Sequence, residues 1–176
     1  YFGHDVHFLF FYDAAHQPFL KKEISELMKI KTHSISKIIN TNPETLFKIV
    51  SEFENYGNWN TIIPNARGEL TIGTELELMM QMNGKTRPFN PKVISIKRNK
   101  SFLLSKVILS KKIGELTHKF EFKKLESNQT EFIQTWTGKG ILVKMMWSKI
   151  QNGFSDFEIF NNDLTEYIEK RNANKV

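Results

Sequence analysis

The fold of this chain is decided by residues 140 to 171, which read GILVKMMWSKIQNGFSDFEIFNNDLTEYIEKR. The stretch contains no proline, and its large apolar side chains recur at spacings of three and four residues, as on one face of a helix. That face comprises Val143, Met146, Trp147, Ile150, Phe154, Phe157, Leu164 and Ile168. At a rise of ~1.5 Å per residue the helix would be roughly 45 Å long, so only a broad sheet can bury its apolar face.

The residues before this helix have the pattern of such a sheet. Apolar and polar side chains alternate from residue 29 to residue 40, and again in several segments between residues 67 and 136. This alternation is typical of strands that bury one face. We therefore predict an α+β protein with six to seven antiparallel strands, joined in sequence by hairpins and covered by helices.

Turn-forming residues divide the predicted strands. Asn83 and Gly84 form a pair that is typical of a tight two-residue hairpin. Pro88 and Pro91 follow in the segment that returns from this hairpin. Because proline cannot donate a hydrogen bond to a neighbouring strand, we expect the two prolines to interrupt the returning strand.

A first helix is predicted after the first strand. Thr41 can cap this helix, Glu44 can complete a capping box, and Pro43 fits its first turn. The helix extends to about residue 54, and the turn-forming residues after it set Trp59 between polar neighbours. Trp59 is therefore expected either to cover the mouth of a cavity or to fill the core.

Composition limits the class of protein. Fifteen phenylalanines and three tryptophans require a large apolar interior or a ligand surface, and the lack of cysteine excludes disulfides and thiolate metal sites. No apolar stretch reaches the ~20 residues that a membrane-spanning helix needs, so we predict a cytoplasmic protein. The net charge of +6 would suit an anionic ligand, a membrane surface or nucleic acid. Scattered lysines without a recognised binding motif argue against nucleic acid, and a homodimer is left open.

The N-terminal segment differs from the rest of the chain. Three of the five histidines lie in residues 1–27, and His4 and His7 flank Asp5 in a pattern that could be drawn as a metal site. The first four residues also resemble a protease-site scar, and Met28 would make a natural start. We predict that residues 1–27 are an extension or a vector-derived lead, that residues 28–176 form one domain, and that no metal or cofactor is required.

Several motifs carry a resemblance to a known family. They are residues 42–47 at the start of the first helix, Tyr56 with Trp59 and Pro64, Gly73-Thr74, residues 114–120, and residues 157–164. These motifs resemble the START-like or SRPBCC superfamily, which has the helix-grip fold and includes polyketide cyclases and dehydrases. The resemblance implies a curved antiparallel sheet wrapped around a long C-terminal helix, with one or two short helices after the first strand. It also implies an apolar cavity between the sheet and the long helix.

The strand alternation and the helix face then predict which side chains line this cavity. The candidate ligand-binding residues are Trp59, Leu78, Met80, Met82, His118, Phe120, Phe132, Gln134, Trp136, Phe154, Phe157 and Asn161. For most of them the alternative is ordinary packing in the core. His118 and Gln134 share the phase of apolar neighbours, so we expect them to point inward. There they would bond each other, a water molecule or a polar group of the ligand.

These features predict a protein that binds a small hydrophobic molecule or lipid without catalysing a reaction. The sequence contains no Gly-rich phosphate loop, zinc-protease motif or nucleophile elbow, and no carboxylate shares the inward phase of His118. Two alternatives remain. One is a polyketide cyclase- or dehydratase-like enzyme with His118 as acid or base. The other is a co-chaperone-like interaction module, which would expose an apolar patch outside the cavity.

Overall fold

The computed structural model describes residues 30–82, 84–126 and 128–174, so the predictions about residues 1–27 lie outside the described part of the chain. Within that part, the strands are β1 (Lys31–Ile39), β2 (Asn65–Arg67), β3 (Glu77–Met82), β4 (Lys85–Phe89), β5 (Lys92–Lys97), β6 (Ser101–Ile108), β7 (Gly114–Lys124) and β8 (Thr130–Lys139). The helices are α1 (Pro43–Ser51), a 3-10 helix (Phe53–Asn58), α2 (Ile141–Gln151) and α3 (Asp156–Ala173).

The strands form two antiparallel sheets. The larger sheet has the order β1-β8-β7-β6-β5, so the first and last strands of the described chain lie side by side. The smaller sheet has the order β2-β3-β4, and an isolated bridge between Glu75 and Lys92 connects the segment before it to β5. This architecture confirms the predicted α+β helix-grip fold. The strand number is higher than the predicted six to seven because β2 has only three residues and β4 continues through a proline.

The proline in β4 corrects one detail of the sequence analysis. Pro88 lies inside the strand, opposite Met79, instead of interrupting it. β4 forms the edge of the smaller sheet, where a residue without an N–H group need not cost a ladder hydrogen bond. The predicted tight hairpin is present, because Met82 pairs directly with Lys85 and Gly84 has a φ of 68°.

α1 starts with a different cap from the one predicted. Asn42, rather than Thr41, caps the helix: its side-chain Oδ1 accepts the N–H of Thr45 at 2.8 Å, and Pro43 occupies the first turn. Thr41 is buried instead, and its carbonyl accepts a hydrogen bond of 2.7 Å from the hydroxyl of Thr130. This bond ties the start of α1 to the beginning of β8.

The C-terminal stretch forms two helices, whereas its periodicity predicted a single unbroken one. Residues 152–155 form turns, in which the N–H groups of Phe154 and Asp156 bond to carbonyl groups three residues earlier. Gly153 favours this break because glycine has a weak helix preference. It also lies directly against Met82, since a Cβ here would overlap the terminal methyl of that side chain and the methionine would have to shift. The long C-terminal helix of the fold is therefore α3, with 18 residues.

The core lies between the larger sheet and the helices. Phe47 of α1 packs edge-on against Phe122 of β7, and Phe160 of α3 stacks on Phe132 of β8. α2 packs tightly on the sheet at Gly138, where an added Cβ would lie 2.6 Å from the side chain of Val143. No helix among the described residues is long and apolar enough to cross a membrane.

Candidate functional site: an apolar cavity beside a buried polar chain

A cavity of about 580 Å³ lies between the curved sheets and the C-terminal helices. This volume falls in the ~300–1,000 Å³ range of small-molecule sites. Its wall combines residues of the smaller sheet, the larger sheet, the 3-10 helix and the region where α2 ends. The lining residues include Tyr56, Leu78, Met80, Met82, Lys85, Arg87, Phe89, Leu104, Leu116, His118, Phe120, Trp136, Met146, Lys149, Gly153, Phe154 and Phe157.

The structure brings together eight of the twelve candidate residues at this wall. They are Leu78, Met80, Met82, His118, Phe120, Trp136, Phe154 and Phe157. Strand pairing explains the grouping on the larger sheet, since His118 of β7 lies directly opposite Trp136 of β8. Residues that face each other across two strands point to the same side of the sheet. The alternation of the sequence was therefore enough to place these side chains on one surface.

The other four candidates lie away from the cavity wall. Trp59 is buried in the core, with its ring centroid 4.9 Å from that of Tyr56 and 5.1 Å from that of Phe160, so it does not cover the mouth. The remaining three, Phe132, Gln134 and Asn161, are fully buried and are not part of the wall. Helix α3 packs directly on this part of the sheet and fills the space above it. The alternation pattern predicts that these side chains face inward, but it does not predict that a helix covers them.

Gln134 and Asn161 nevertheless connect to the cavity through His118. The side-chain Nε2 of Gln134 donates to Asn161 Oδ1 at 2.8 Å, which leaves Gln134 Oε1 to accept from His118 Nε2 at 2.9 Å. With the two amides in this orientation, His118 carries its proton on Nε2, and its Nδ1 is an unprotonated acceptor. The predicted His118–Gln134 bond is confirmed, and it continues into a third residue on α3.

The surroundings of His118 keep its imidazole neutral. Its ring lies between aromatic neighbours, with centroid distances of 3.9 Å to Phe120, 4.3 Å to Trp136 and 5.3 Å to Phe157. Burial lowers the pKa of His118 from 6.5 to about 3, and the hydrogen bond to Gln134 acts in the opposite direction. A neutral imidazole in an apolar wall can accept one hydrogen bond from a ligand, but it is a weak base near neutral pH.

Other polar groups at the wall are either engaged or cationic. The hydroxyl of Tyr56 donates to the carbonyl of Val50 at 2.6 Å, and burial raises the pKa of this phenol. Three cations, Lys85, Arg87 and Lys149, also line the cavity, and none of the described residues that line it is a carboxylate. Among the residues that the structure describes, no group of three or more His, Cys, Asp or Glu side chains could hold a metal ion.

The three cations are absent from the candidate residues predicted above, although the sequence contains a signal for two of them. In a two-residue hairpin at Asn83-Gly84, the partners of Met82 and Met80 are Lys85 and Arg87, which the observed register confirms. Partners across a hairpin share a face of the sheet. If the alternation of inward and outward side chains in β3 is continued through the turn into β4, it predicts that Lys85 and Arg87 face the cavity.

The fold and the cavity define a START-like protein with a helix-grip fold. The chain belongs to the family described as Activator of Hsp90 ATPase homolog 1-like protein, whose sequence model matches residues 40–167. Comparison with curated proteins finds no sequence match.

Solved structures of low sequence identity share this fold. A START superfamily protein from Mycobacterium smegmatis has a TM-score of 0.59 and 18% identity, with 79% of this chain and 97% of that chain covered. The Zhui aromatase/cyclase from Streptomyces sp. R1128 has a TM-score of 0.65 and 8% identity, with 81% and 96% covered. Norcoclaurine synthase from Thalictrum flavum, solved with dopamine and hydroxybenzaldehyde, has a TM-score of 0.64 and 6% identity, with 84% and 91% covered.

Proposed function

We propose that this protein binds a small hydrophobic molecule or lipid in the cavity between its sheets and its C-terminal helices, without catalysing a reaction. The observation that carries the proposal is the cavity of about 580 Å³, whose wall is mainly aromatic and aliphatic. Met80 and Met82 add flexible side chains that adjust to ligands of different shape. His118 supplies one polar contact to the ligand through Nδ1, while Trp136 and Phe157 pack against the apolar body of the ligand.

A cyclase- or dehydratase-like activity has less support. An acid or base works best when its pKa is near the working pH, and the pKa of His118 lies far below neutrality at about 3. Within the described part of the chain, no carboxylate lines the cavity to raise that pKa or to share a proton transfer. The two related enzymes of the same fold differ from this chain at more than nine positions in ten, so their chemistry does not transfer.

Filling the cavity is expected to abolish ligand binding while the fold is retained. Met80→Trp adds a large ring to the cavity wall, whereas Met79→Trp makes the same change on the exposed face of the same strand and serves as the control. The wild type and the control should be stabilised by a ligand at saturating concentration, by about 5–10 °C in Tm. Thermal melts against fatty acids, sterols and aromatic polyketides, with native mass spectrometry of the purified protein, provide the measurement.

The binding proposal fails if no compound of this panel raises the Tm of the wild type and native mass spectrometry finds no bound molecule. It also fails if Met80→Trp and Met79→Trp respond equally to a ligand, because occupancy would then not involve the cavity. Circular dichroism of both variants checks that each retains the wild-type fold.

A second candidate function, a protein-interaction module, is favoured by an exposed apolar patch. The patch consists of Leu109 and Ile113 in the β6–β7 hairpin and Ile141 and Met145 on α2, with Leu109 86% exposed and Met145 73% exposed. The two elements are joined where the N–H of Leu142 donates to the carbonyl of Ile113 at 3.0 Å. The family description names an activator of the Hsp90 ATPase, so an Hsp90-type chaperone is the partner to test.

If the patch binds such a chaperone, the wild-type protein should raise the ATPase rate of purified Hsp90. Leu109→Ser combined with Met145→Ser should weaken that effect by about tenfold or more in apparent affinity, because exposed apolar anchors carry most of an interface's binding energy. Ile72→Ser, at another exposed apolar position, is the control. An ATPase rate that saturating wild-type protein leaves unchanged would remove this candidate.

A further inference from the structure

The cavity changes from apolar to cationic along the β3–β4 hairpin. Three cross-strand pairs face it: Leu78 with Phe89, Met80 with Arg87, and Met82 with Lys85. Only the first pair is entirely apolar, and each pair nearer the turn combines a methionine with a cation. The hairpin therefore has its more buried, apolar pair away from the turn and its exposed cations near the turn.

Helix α2 adds a third cation at the same end. Lys149 lies in the last turn of α2 and lines the cavity. The chain that follows α2 touches β3 at Gly153, whose position leaves no room for a Cβ beside the terminal methyl of Met82. Met82 is also the partner of Lys85, so this contact brings the end of α2 to the turn end of the hairpin. We call Lys85, Arg87 and Lys149 the cationic rim.

The cationic rim has no counter-charge in the described part of the chain. All three side chains are exposed, and no ion pair or side-chain hydrogen bond engages any of them there. Some lysines elsewhere on the surface have acidic partners, as Lys119 has Glu121, whereas others, such as Lys97 and Lys124, have none among the described residues. The cationic rim differs from these single charges because its three cations all border one apolar cavity. Unpaired charges of one sign beside a low-dielectric cavity attract the opposite charge more strongly than the same charges in open solvent.

We propose, on the basis of the proposed binding function, that the ligand is an anionic amphiphile, an organic acid with a large apolar body. Its acidic group lies at the cationic rim, where the planar guanidinium of Arg87 can donate two parallel hydrogen bonds to a carboxylate or phosphate. Its apolar body extends toward Phe120, Trp136 and Phe157. A neutral lipid would leave the three cations without partners, and an amine would be repelled by them.

Calorimetric titration with tetradecanoic acid, tetradecanol and tetradecylamine tests this inference, with dodecyl phosphate as a second acid. The carboxylic acid should bind about tenfold or more tightly than the alcohol of equal chain length, since three cations of one sign act together on its charged group beside a low-dielectric cavity. Increasing salt should weaken binding of the acid and leave binding of the alcohol unchanged. A preference between the two acids distinguishes a carboxylate site from a phosphate site.

Variants without the rim charges test whether the preference for the acid over the alcohol arises at the cationic rim. Lys85→Gln, Arg87→Gln and Lys149→Gln together should remove the preference for the acid, so that the acid and the alcohol bind to this variant with similar affinity. The control combines Lys97→Gln, Arg98→Gln and Lys124→Gln, which removes the same charges from exposed positions outside the cavity. The control should retain the wild-type preference for the acid.

The possible outcomes separate this inference from the function on which it rests. Equal affinity of the wild type for acid and alcohol, or an acid preference that survives in the rim variant, would overturn the anionic ligand and leave hydrophobic binding intact. Binding of none of the four compounds, and of no member of the wider panel, would overturn both.

Discussion

Replacing Gln134 with leucine is expected to destabilise the protein by about 2–5 kcal/mol, although the two side chains are similar in size. Gln134 is fully buried and bonds two other buried side chains, His118 at 2.9 Å and Asn161 at 2.8 Å. Leucine would leave the Nε2–H of His118 and the Oδ1 of Asn161 without partners. Urea unfolding should show a lower midpoint with an unchanged slope.

Gln81→Leu is the matched control, because it makes the same change at an exposed position of β3 and should alter stability by less than about 0.5 kcal/mol. A triple variant with leucine at 118, 134 and 161 should be less destabilised than the sum of the three single variants. Its buried polar groups are all removed together, so none is left without a partner. Equal stability of Gln134→Leu and Gln81→Leu would contradict a stabilising role for the hydrogen bonds that join His118, Gln134 and Asn161.

Acidification is expected to destabilise the protein through His118, by up to about 1.4 kcal/mol for each pH unit between pH 6.5 and pH 3. The unfolded chain takes up this proton near the ordinary pKa of 6.5, whereas burial in the folded protein lowers the pKa to about 3. Between these values the unfolded state binds more protons, so the free energy of unfolding falls as the pH falls. Above pH 6.5 neither state is protonated at His118, and this residue contributes no pH dependence.

His118→Gln isolates the contribution of His118 to the pH dependence of stability. The amide of glutamine cannot titrate, and the wild type and the variant have the same carboxyl groups. Unfolding free energies measured from pH 7 to pH 4 should fall more steeply for the wild type than for His118→Gln. NMR of the imidazole C–H groups should show His118 neutral at pH 5 in the folded wild type. Parallel stability curves for the two proteins would contradict the buried neutral imidazole.

The hydrogen-bonded residues His118, Gln134 and Asn161 also show why the pattern of the sequence predicted which side of the sheet a side chain is on, but not whether that side chain borders the cavity. Period-two alternation placed His118, Phe120 and Trp136 on one face, because strand geometry sends alternate side chains to the same side. The alternation does not indicate whether a helix or the cavity lies over a given residue on that face of the sheet. α3 covers Gln134, whereas the break before α3 leaves His118 beside the cavity.

Some predictions from the sequence stay predictions. These are the cytoplasmic location, the homodimer, the ligand-binding role of the twelve candidate residues, and the nature of residues 1–27. The exposed apolar patch bears on the interaction alternative, and it could not have been read from the sequence. Leu109 and Met145 lie on different elements, which only the folded chain brings together.

The C-terminal stretch from residue 140 to residue 171 separates what the sequence determined from what the tertiary structure decided. Its apolar periodicity determined that it is helical and that it packs on a sheet, because these properties depend on local geometry and on which side chains avoid water. The break at Gly153 and the cavity beside it depend on contacts between distant segments. Met82 occupies the space where a side chain at 153 would lie, and the hairpin of Met82 brings Lys85 and Arg87 to the same place. Alternation through the hairpin could have indicated Lys85 and Arg87, but contacts between distant segments have no periodic signal in the chain. Only the tertiary structure therefore shows that Lys149 joins these two cations beside the apolar cavity.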